Sequence, residues 1–253
     1  MNFILEIRDL NLSFGGLRAV SNFQLKVKPG SIHGVIGPNG AGKTTLFNLI
    51  SGLYKPDSGE IIFLENPLVG KKPYEISRLG IARTFQNLRL FNDLTVRENI
   101  KVGQLSGRSR NSWHGFLKVR ESSVPDEKVD TLLDLFDLGG RSAEKAGNLP
   151  YGMQRKLEIA RALATGPKLL LLDEPAAGMN PQEVLSLADL IRKIKNRFGL
   201  TIILIEHQMR LVEELCDYIT VMNFGEIIAE GKPSEVQSNP VVIKAYLGEE
   251  EVG

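Results

Sequence analysis

Lys43 stands seventh in a run, Gly37-Pro38-Asn39-Gly40-Ala41-Gly42-Lys43-Thr44-Thr45, that carries glycine at its first and sixth positions and follows directly on the apolar segment Ile32–Ile36. Glycines let a backbone turn tightly and approach polyanionic oxygens, so successive N–H groups converge while the next helix adds its positive N-terminal end. The spacing G-x-x-x-x-G-K-[ST] therefore predicts a loop that cradles the phosphates of a nucleoside triphosphate with Asn39, Gly40, Ala41, Gly42 and Thr45. Lys43 reaches the β and γ phosphates as a point charge, and the Thr44 hydroxyl is placed to ligate the Mg²⁺ that bridges them. Leu46, Leu49 and Ile50 give the following helix its apolar face.

Four leucines at 169–172 deliver Asp173 and Glu174 to the end of a buried strand, where carboxylates are unfavourable unless they bind a cation or take a proton. Next to Mg²⁺ and ATP the two divide the work. Asp173 holds the metal through its water shell, and Glu174 accepts a proton from the water that attacks the γ phosphate. His207, just beyond the apolar run Thr201–Ile205, is placed to hydrogen-bond the γ phosphate and stabilise its charge. Gln86, in Arg83-Thr84-Phe85-Gln86-Asn87, offers an amide oxygen to Mg²⁺ where a sheet lobe meets a helical one, the position of a hinge sensor. The run Leu149-Pro150-Tyr151-Gly152-Met153-Gln154-Arg155 precedes an expected helix over 156–164, whose start is a second anion-binding end. If the two phosphate-facing ends cannot meet within one chain, two such domains pair head to tail around nucleotide. His33, inside the strand before the loop, reads as a core or half-exposed histidine, and His114 earns no catalytic role.

The elements that must position these groups fall into two kinds. Leu5 and Ile7, then Phe23, Leu25 and Val27, alternate with polar neighbours, the pattern of an antiparallel layer covered on one face. Ile32–Ile36, the leucines at 169–172 and Thr201–Ile205 are almost wholly apolar, as in parallel strands covered on both faces, and each ends in a polar site. Ligands of open α/β sheets collect at such carboxyl ends, so three distant segments converge on one crevice. Residues 87–147 change to amphipathic helices such as the one carrying Val129, Leu132, Leu133, Leu135 and Phe136, an inserted helical lobe. Residues 103–124 mix Arg, Ser and Gly with Trp113 and Phe116 and read as a solvated loop rather than an RNA-binding segment. A short last helix ends at Tyr246-Leu247 before an acidic tail.

With 253 residues, 42% of them apolar, the chain has ample core, and a net charge of +1 supplies no global field for nucleic acid or anionic lipid. The only cysteine, Cys216, has no partner for an internal disulfide, which suits a reducing cytoplasm. No run reaches the roughly 20 apolar residues of a membrane span, and no signal peptide is expected.

Taken in order, these residues resemble the ATP-binding subunit of an ABC transporter, over nearly all of the chain. The resemblance implies an α/β fold: a P-loop NTPase core with a mostly parallel sheet, an N-terminal antiparallel β layer and an inserted helical lobe. Residues 1–253 would form one domain, with 1–86 and 165–235 as nucleotide lobe, 87–164 as helical lobe and 236–253 as tail. It further implies Phe14 as the adenine-stacking aromatic with Val20 in the same site, residues 37–45 as Walker A, and Gln86 as the Q-loop. Leu149, Pro150, Tyr151, Gly152, Met153 and Gln154 match the signature, residues 169–174 Walker B, 178–180 the D-loop, and His207 the switch histidine.

Residues 83–91, 149–152, 176–181 and 246–248 look like the branched-chain amino-acid importer group, which also takes urea and short amides. That likeness implies a second, different ATPase subunit, two membrane permeases and a periplasmic binding protein, with this chain on the cytoplasmic face of the inner membrane. Two departures stand out. The usual signature reads L-S-G-G-Q, but Pro150 offers neither hydroxyl nor N–H and Met153 replaces glutamine, a loss of about 1 to 3 kcal/mol of charge-assisted bonding at one composite site. Asn180 replaces the commoner D-loop aspartate. Two alternatives stay open: another transporter branch such as a lipopolysaccharide-export ATPase, which pairs with itself, and a soluble non-transport ATPase.

Overall fold

A computed structural model describes residues 3–106 and 126–247. In chain order the strands are β1 (Leu5–Phe14), β2 (Leu17–Val27), β3 (Ile32–Ile36), β4 (Ser58–Phe63), β5 (Asn66–Pro67), β6 (Ile81–Arg83), β7 (Leu169–Asp173), β8 (Thr201–Ile205), β9 (Tyr218–Asn223) and β10 (Glu226–Gly231). The helices are α1 (Lys43–Ile50), α2 (Pro73–Leu79), α3 (Val96–Ser106), α4 (Glu127–Leu135), α5 (Tyr151–Ala164), α6 (Pro181–Phe198), α7 (Met209–Leu215), α8 (Pro233–Gln237) and α9 (Pro240–Leu247). The chain divides into two compact units, Met1–Ile76 with Leu171–Gly253, and Ser77–Leu170.

In the first unit an antiparallel sheet of order β2-β1-β4-β5 follows from the alternation in its strands. Leu5 faces Val27 and Phe63 while Ile7 faces Leu25 and Ile61, and all six are buried. The apolar phase then slips by one, from Leu5 and Ile7 to Leu10 and Leu12. A register shift between Ile7 and Leu10, with Asp9 at φ 45°, absorbs the slip and keeps all four inward. The second sheet carries β10-β9-β3-β8-β7 across this unit. β3 runs parallel to β8 and to β9, and β3, β7 and β8 are buried along their whole length. The expected parallel core is thus present, and it extends to β9, whose hairpin with β10 is antiparallel.

In the second unit α3, α4 and α5 pack through Val96, Ile100, Val129, Leu132, Leu133 and Leu157. Of the face expected around Val129, four members are buried and Leu135 is half-buried. The main-chain N–H groups of Lys168 and Leu169 donate to the Gly80 carbonyl at 2.8 and 3.1 Å, tying the residue before β6 to the start of β7. Trp113, Phe116, His114 and the acidic tail lie outside the described residues. Among the described residues no helix is long and apolar enough to cross a membrane.

Two polar residues are sealed behind the parallel strands. Cys216 is 7% exposed, and burial pushes its thiol up to about 12. His33 is 3% exposed, with Nε2 2.9 Å from the Thr220 hydroxyl, which in turn donates to Glu230 at 2.7 Å. Because the one hydroxyl proton of Thr220 goes to Glu230, Nε2–H of His33 is the donor. Burial holds the pKa of the ring down at about 4. A histidine kept neutral in the fold but free to charge near 6.5 when unfolded contributes stability that is full above pH 6.5 and is lost as pH falls towards 4. Urea midpoints measured across that window should drop by an equivalent of about 3 kcal/mol, and His33→Asn should flatten this segment of the profile.

Candidate nucleotide site

The loop of residues 37–42 leaves β3 in a conformation open only to glycine at two points. Gly37 has φ 146°, and a β-carbon there would lie 2.0 Å from the Met222 carbonyl oxygen. Gly42 has φ 100°, and its β-carbon would lie 2.3 Å from the Ala19 carbonyl oxygen. The loop is therefore pressed against β9 on one side and β2 on the other. A further brace comes from the β9–β10 turn, where Gly225 N–H donates to the Ala41 carbonyl at 3.0 Å. Gly42 caps α1, no side chain caps that helix start, and its first turn carries no acid, so neither a capping group nor a first-turn carboxylate offsets its N-terminal field. Lys43 is 7% exposed, and its Nζ donates to the Gly37 and Pro38 carbonyls at 2.6 and 2.7 Å, folding the ammonium over the loop. Thr44 and Asn39 are exposed. Phe14, at the end of β1, is 46% exposed and meets Tyr54 edge-on at 5.3 Å, whereas Val20 is buried opposite Leu12.

The neighbouring strand ends carry the acids and the histidine. Asp173, the last residue of β7, is 1% exposed. Glu174 follows at φ 45°, a left-handed backbone that costs an ordinary residue on the order of 1 kcal/mol. Its N–H donates to the Ile205 carbonyl of β8 at 2.9 Å, which fixes the unusual turn. His207 Nδ1 stands 3.8 Å from Glu174 Oε2, with the imidazole half exposed and the carboxylate largely covered. A covered carboxylate beside an exposed imidazole is an arrangement that can orient a water and a polar anion together.

Glu206, which the sequence places with His207 at the end of β8 without a role of its own, sits beside these groups. Glu206 is 0% exposed. Its Oε1 accepts Ala176 N–H at 2.9 Å, and its Oε2 accepts His207 and Gln208 N–H at 3.1 and 3.3 Å. Burial raises its pKa, while these backbone donors and the nearby His207 oppose the rise. One carboxylate thus ties the loop after Glu174 to the loop that carries His207, and Gln208 Nε2 adds a bond to the Ala176 carbonyl at 3.0 Å. The available signal was an acid set directly after an all-apolar strand. Asn180 also has a local explanation: Oδ1 accepts Gln182 and Glu183 N–H at 3.0 Å each, and Asn180 N–H donates to the Glu183 carboxylate, a full capping box on α6.

Gln86 and residues 149–154 belong to the second unit. Helix α5 begins at Tyr151, not at 156 as expected, so the signature segment forms its first turn. Pro150, at φ −54°, serves as the N-cap, where its missing N–H is no loss, and its carbonyl accepts Met153 and Gln154 N–H at 2.9 and 3.0 Å. The helix end offered to an anion is therefore at Tyr151 and Gly152. Gln154 is spent locally, donating to the Leu149 carbonyl at 2.9 Å.

Comparison with known proteins agrees over the full length. A family described as "ABC transporter" matches residues 20–177, and one described as "Branched-chain amino acid ATP-binding cassette transporter" matches residues 226–252. The high-affinity branched-chain amino acid transport ATP-binding protein LivG of Escherichia coli K12 is 44% identical, covering 97% of this chain and 98% of LivG. BraF of Pseudomonas aeruginosa, described in the same words, is also 44% identical with the same coverage. Among solved structures, the ADP conformation of MJ1267, an ATP-binding cassette of an ABC transporter, superposes with TM-score 0.86 at 33% identity, covering 98% of this chain and all of that one. With the braced phosphate loop, the acid pair and the histidine at adjoining strand ends, this places the chain in the ABC transporter family, as one of its ATP-binding cassettes.

Proposed function

We propose that the protein hydrolyses ATP to power import of branched-chain amino acids through an ABC transporter. The observation that carries this reading is the meeting of Glu174 and His207 at 3.8 Å on strand ends beside the phosphate loop, in a chain similar along its length to LivG and BraF. Lys43, with Asn39, Gly40, Ala41, Gly42, Thr44 and Thr45, grips the phosphates, and Phe14 stacks on the adenine with Val20 behind it. Glu174 takes the proton of the attacking water, and His207 donates to the γ phosphate. The donors at the loop suit Mg²⁺, a hard cation that takes oxygen ligands: the exposed Thr44 hydroxyl and the buried Asp173 carboxylate. The Gln86 amide oxygen is proposed as a further ligand. When bound, the ion neutralises charge on the β and γ phosphate oxygens.

Residues 149–154 present the start of α5 to the nucleotide of a second, different ATPase subunit. Two membrane permeases dock on the helical lobe, a periplasmic solute-binding protein delivers the cargo, and the chain works from the cytoplasmic face of the inner membrane. Cargo specificity is tested by purifying the chain with its membrane partners, reconstituting vesicles and measuring ATP turnover with leucine, isoleucine or valine and their binding protein. Stimulation by these and not by basic or acidic amino acids supports the reading, and indifference to all of them rejects it.

Three substitutions probe the site. Glu174→Gln should leave ATP affinity within about twofold and lower turnover by at least about 100-fold, as loss of a general base does; phosphate release and equilibrium binding measure the two. Lys43→Ala should raise the ATP dissociation constant about tenfold or more, and an unchanged constant counts against the loop. Glu206→Gln places an amide donor or loses a charge where three backbone N–H groups converge, so turnover should fall about tenfold with ATP affinity little changed.

A further inference from the structure

One turn into α5, Arg155 is fully buried, and a guanidinium removed from water needs both a counter-charge and partners for its donors. Nη1 donates to Glu158 Oε2 at 2.9 Å and to the Phe85 carbonyl at 2.6 Å. Nη2 donates to the Gln86 carbonyl at 2.8 Å and to the Tyr151 hydroxyl at 3.2 Å. Glu158, itself 1% exposed, completes the grip from its other oxygen: Oε1 accepts Phe85 and Arg89 N–H at 3.4 and 3.3 Å. The Phe85 ring is in turn covered by the Arg89 guanidinium, 4.1 Å from its centroid.

Two features of this cluster are informative. The buried pair engages the main chain at residues 85, 86 and 89, so it holds the path of the loop through its backbone. It also joins that loop to the first turn of α5 through the Tyr151 hydroxyl, one residue from Gly152. A buried ion pair alone is often no more stable than an apolar filler, but this one also satisfies main-chain groups of residues 85, 86 and 89 that a filler would leave unpaired. A forked, charged connector does what an apolar filler cannot: it fixes direction as well as distance.

We propose that Arg155 and Glu158 are positioning residues that make the Gln86 loop and the start of α5 move as one body, so that displacement of Gln86 by nucleotide is passed to the signature turn of the same chain. The inference rests on the reading of Gln86 and residues 149–154 given above. Arg155→Lys keeps the charge opposite Glu158 but loses the fork, since an ammonium cannot reach both carbonyls and the tyrosine in one plane.

The test is a double-mutant cycle on the full chain, comparing Mg·ATP turnover and ATP affinity for Gln86→Ala, Arg155→Lys and the pair. Gln86→Ala alone should lower kcat by about tenfold, whereas in the Arg155→Lys background it should lower it by less than about twofold, with ATP affinity unchanged by Arg155→Lys. A merely structural pair lowers activity without altering the factor due to Gln86, so effects that multiply fully overturn the coupling. If Gln86→Ala has no effect in the parent chain, the assignment of Gln86 falls and the coupling with it. Should Arg155→Lys fail to fold by circular dichroism, Glu158→Gln enters the same cycle with the same criteria, and failure of both to fold marks the pair as structural and overturns the proposal.

Discussion

A strand covered on both faces can carry no charge along its length, and this constraint arranges the whole first unit. β3, β7 and β8 bury every residue, so a polar side chain within them must be neutral and hydrogen-bonded, as His33 is, and charged groups collect where the strands stop. Asp173, Glu174, Glu206, His207 and the glycine loop after Ile36 all stand at such ends. Because the strands are neighbours, groups separated by more than 160 residues in sequence fall on one edge. The apolar core and the reactive edge are two outcomes of the same dehydration requirement.

That edge is held by main-chain bonds more than by side-chain ion pairs. Glu174 is fixed through its own N–H to Ile205, and Glu206 spends both oxygens on three backbone donors. The phosphate loop is fixed by exclusion, since neither Gly37 nor Gly42 has room for a single further carbon. Loops set this way keep their backbone path, which is one condition for preorganised electrostatics.

Residue spacing and apolar runs made this edge legible in advance, because both follow from periods of two and from unbroken burial. What stayed hidden depends on where a chain turns in space. The start of α5 was expected at 156 because Pro150 and Gly152 read as loop residues, yet a proline N-cap and a glycine inside the first turn are compatible with a helix from Tyr151. Glu158, set among Leu157, Ile159 and Ala160, gave a sequence clue only as a charge in an apolar stretch. Its partners at 85 and 89 lie some 70 residues away and have no pattern linking them to it. The one-residue slip in β1 was likewise unread, since a bulge is recognised by its partner strand and not by composition.

The single thiol of this chain adds a practical property. With Cys216 shielded and its thiol pushed up to about 12, the sulfur stays protonated at neutral pH, so alkylating reagents find little to react with while the fold is intact. Modification of that sulfur becomes a clock for transient opening of the strand it lies behind. A cysteine engineered elsewhere on the surface would carry its label alone.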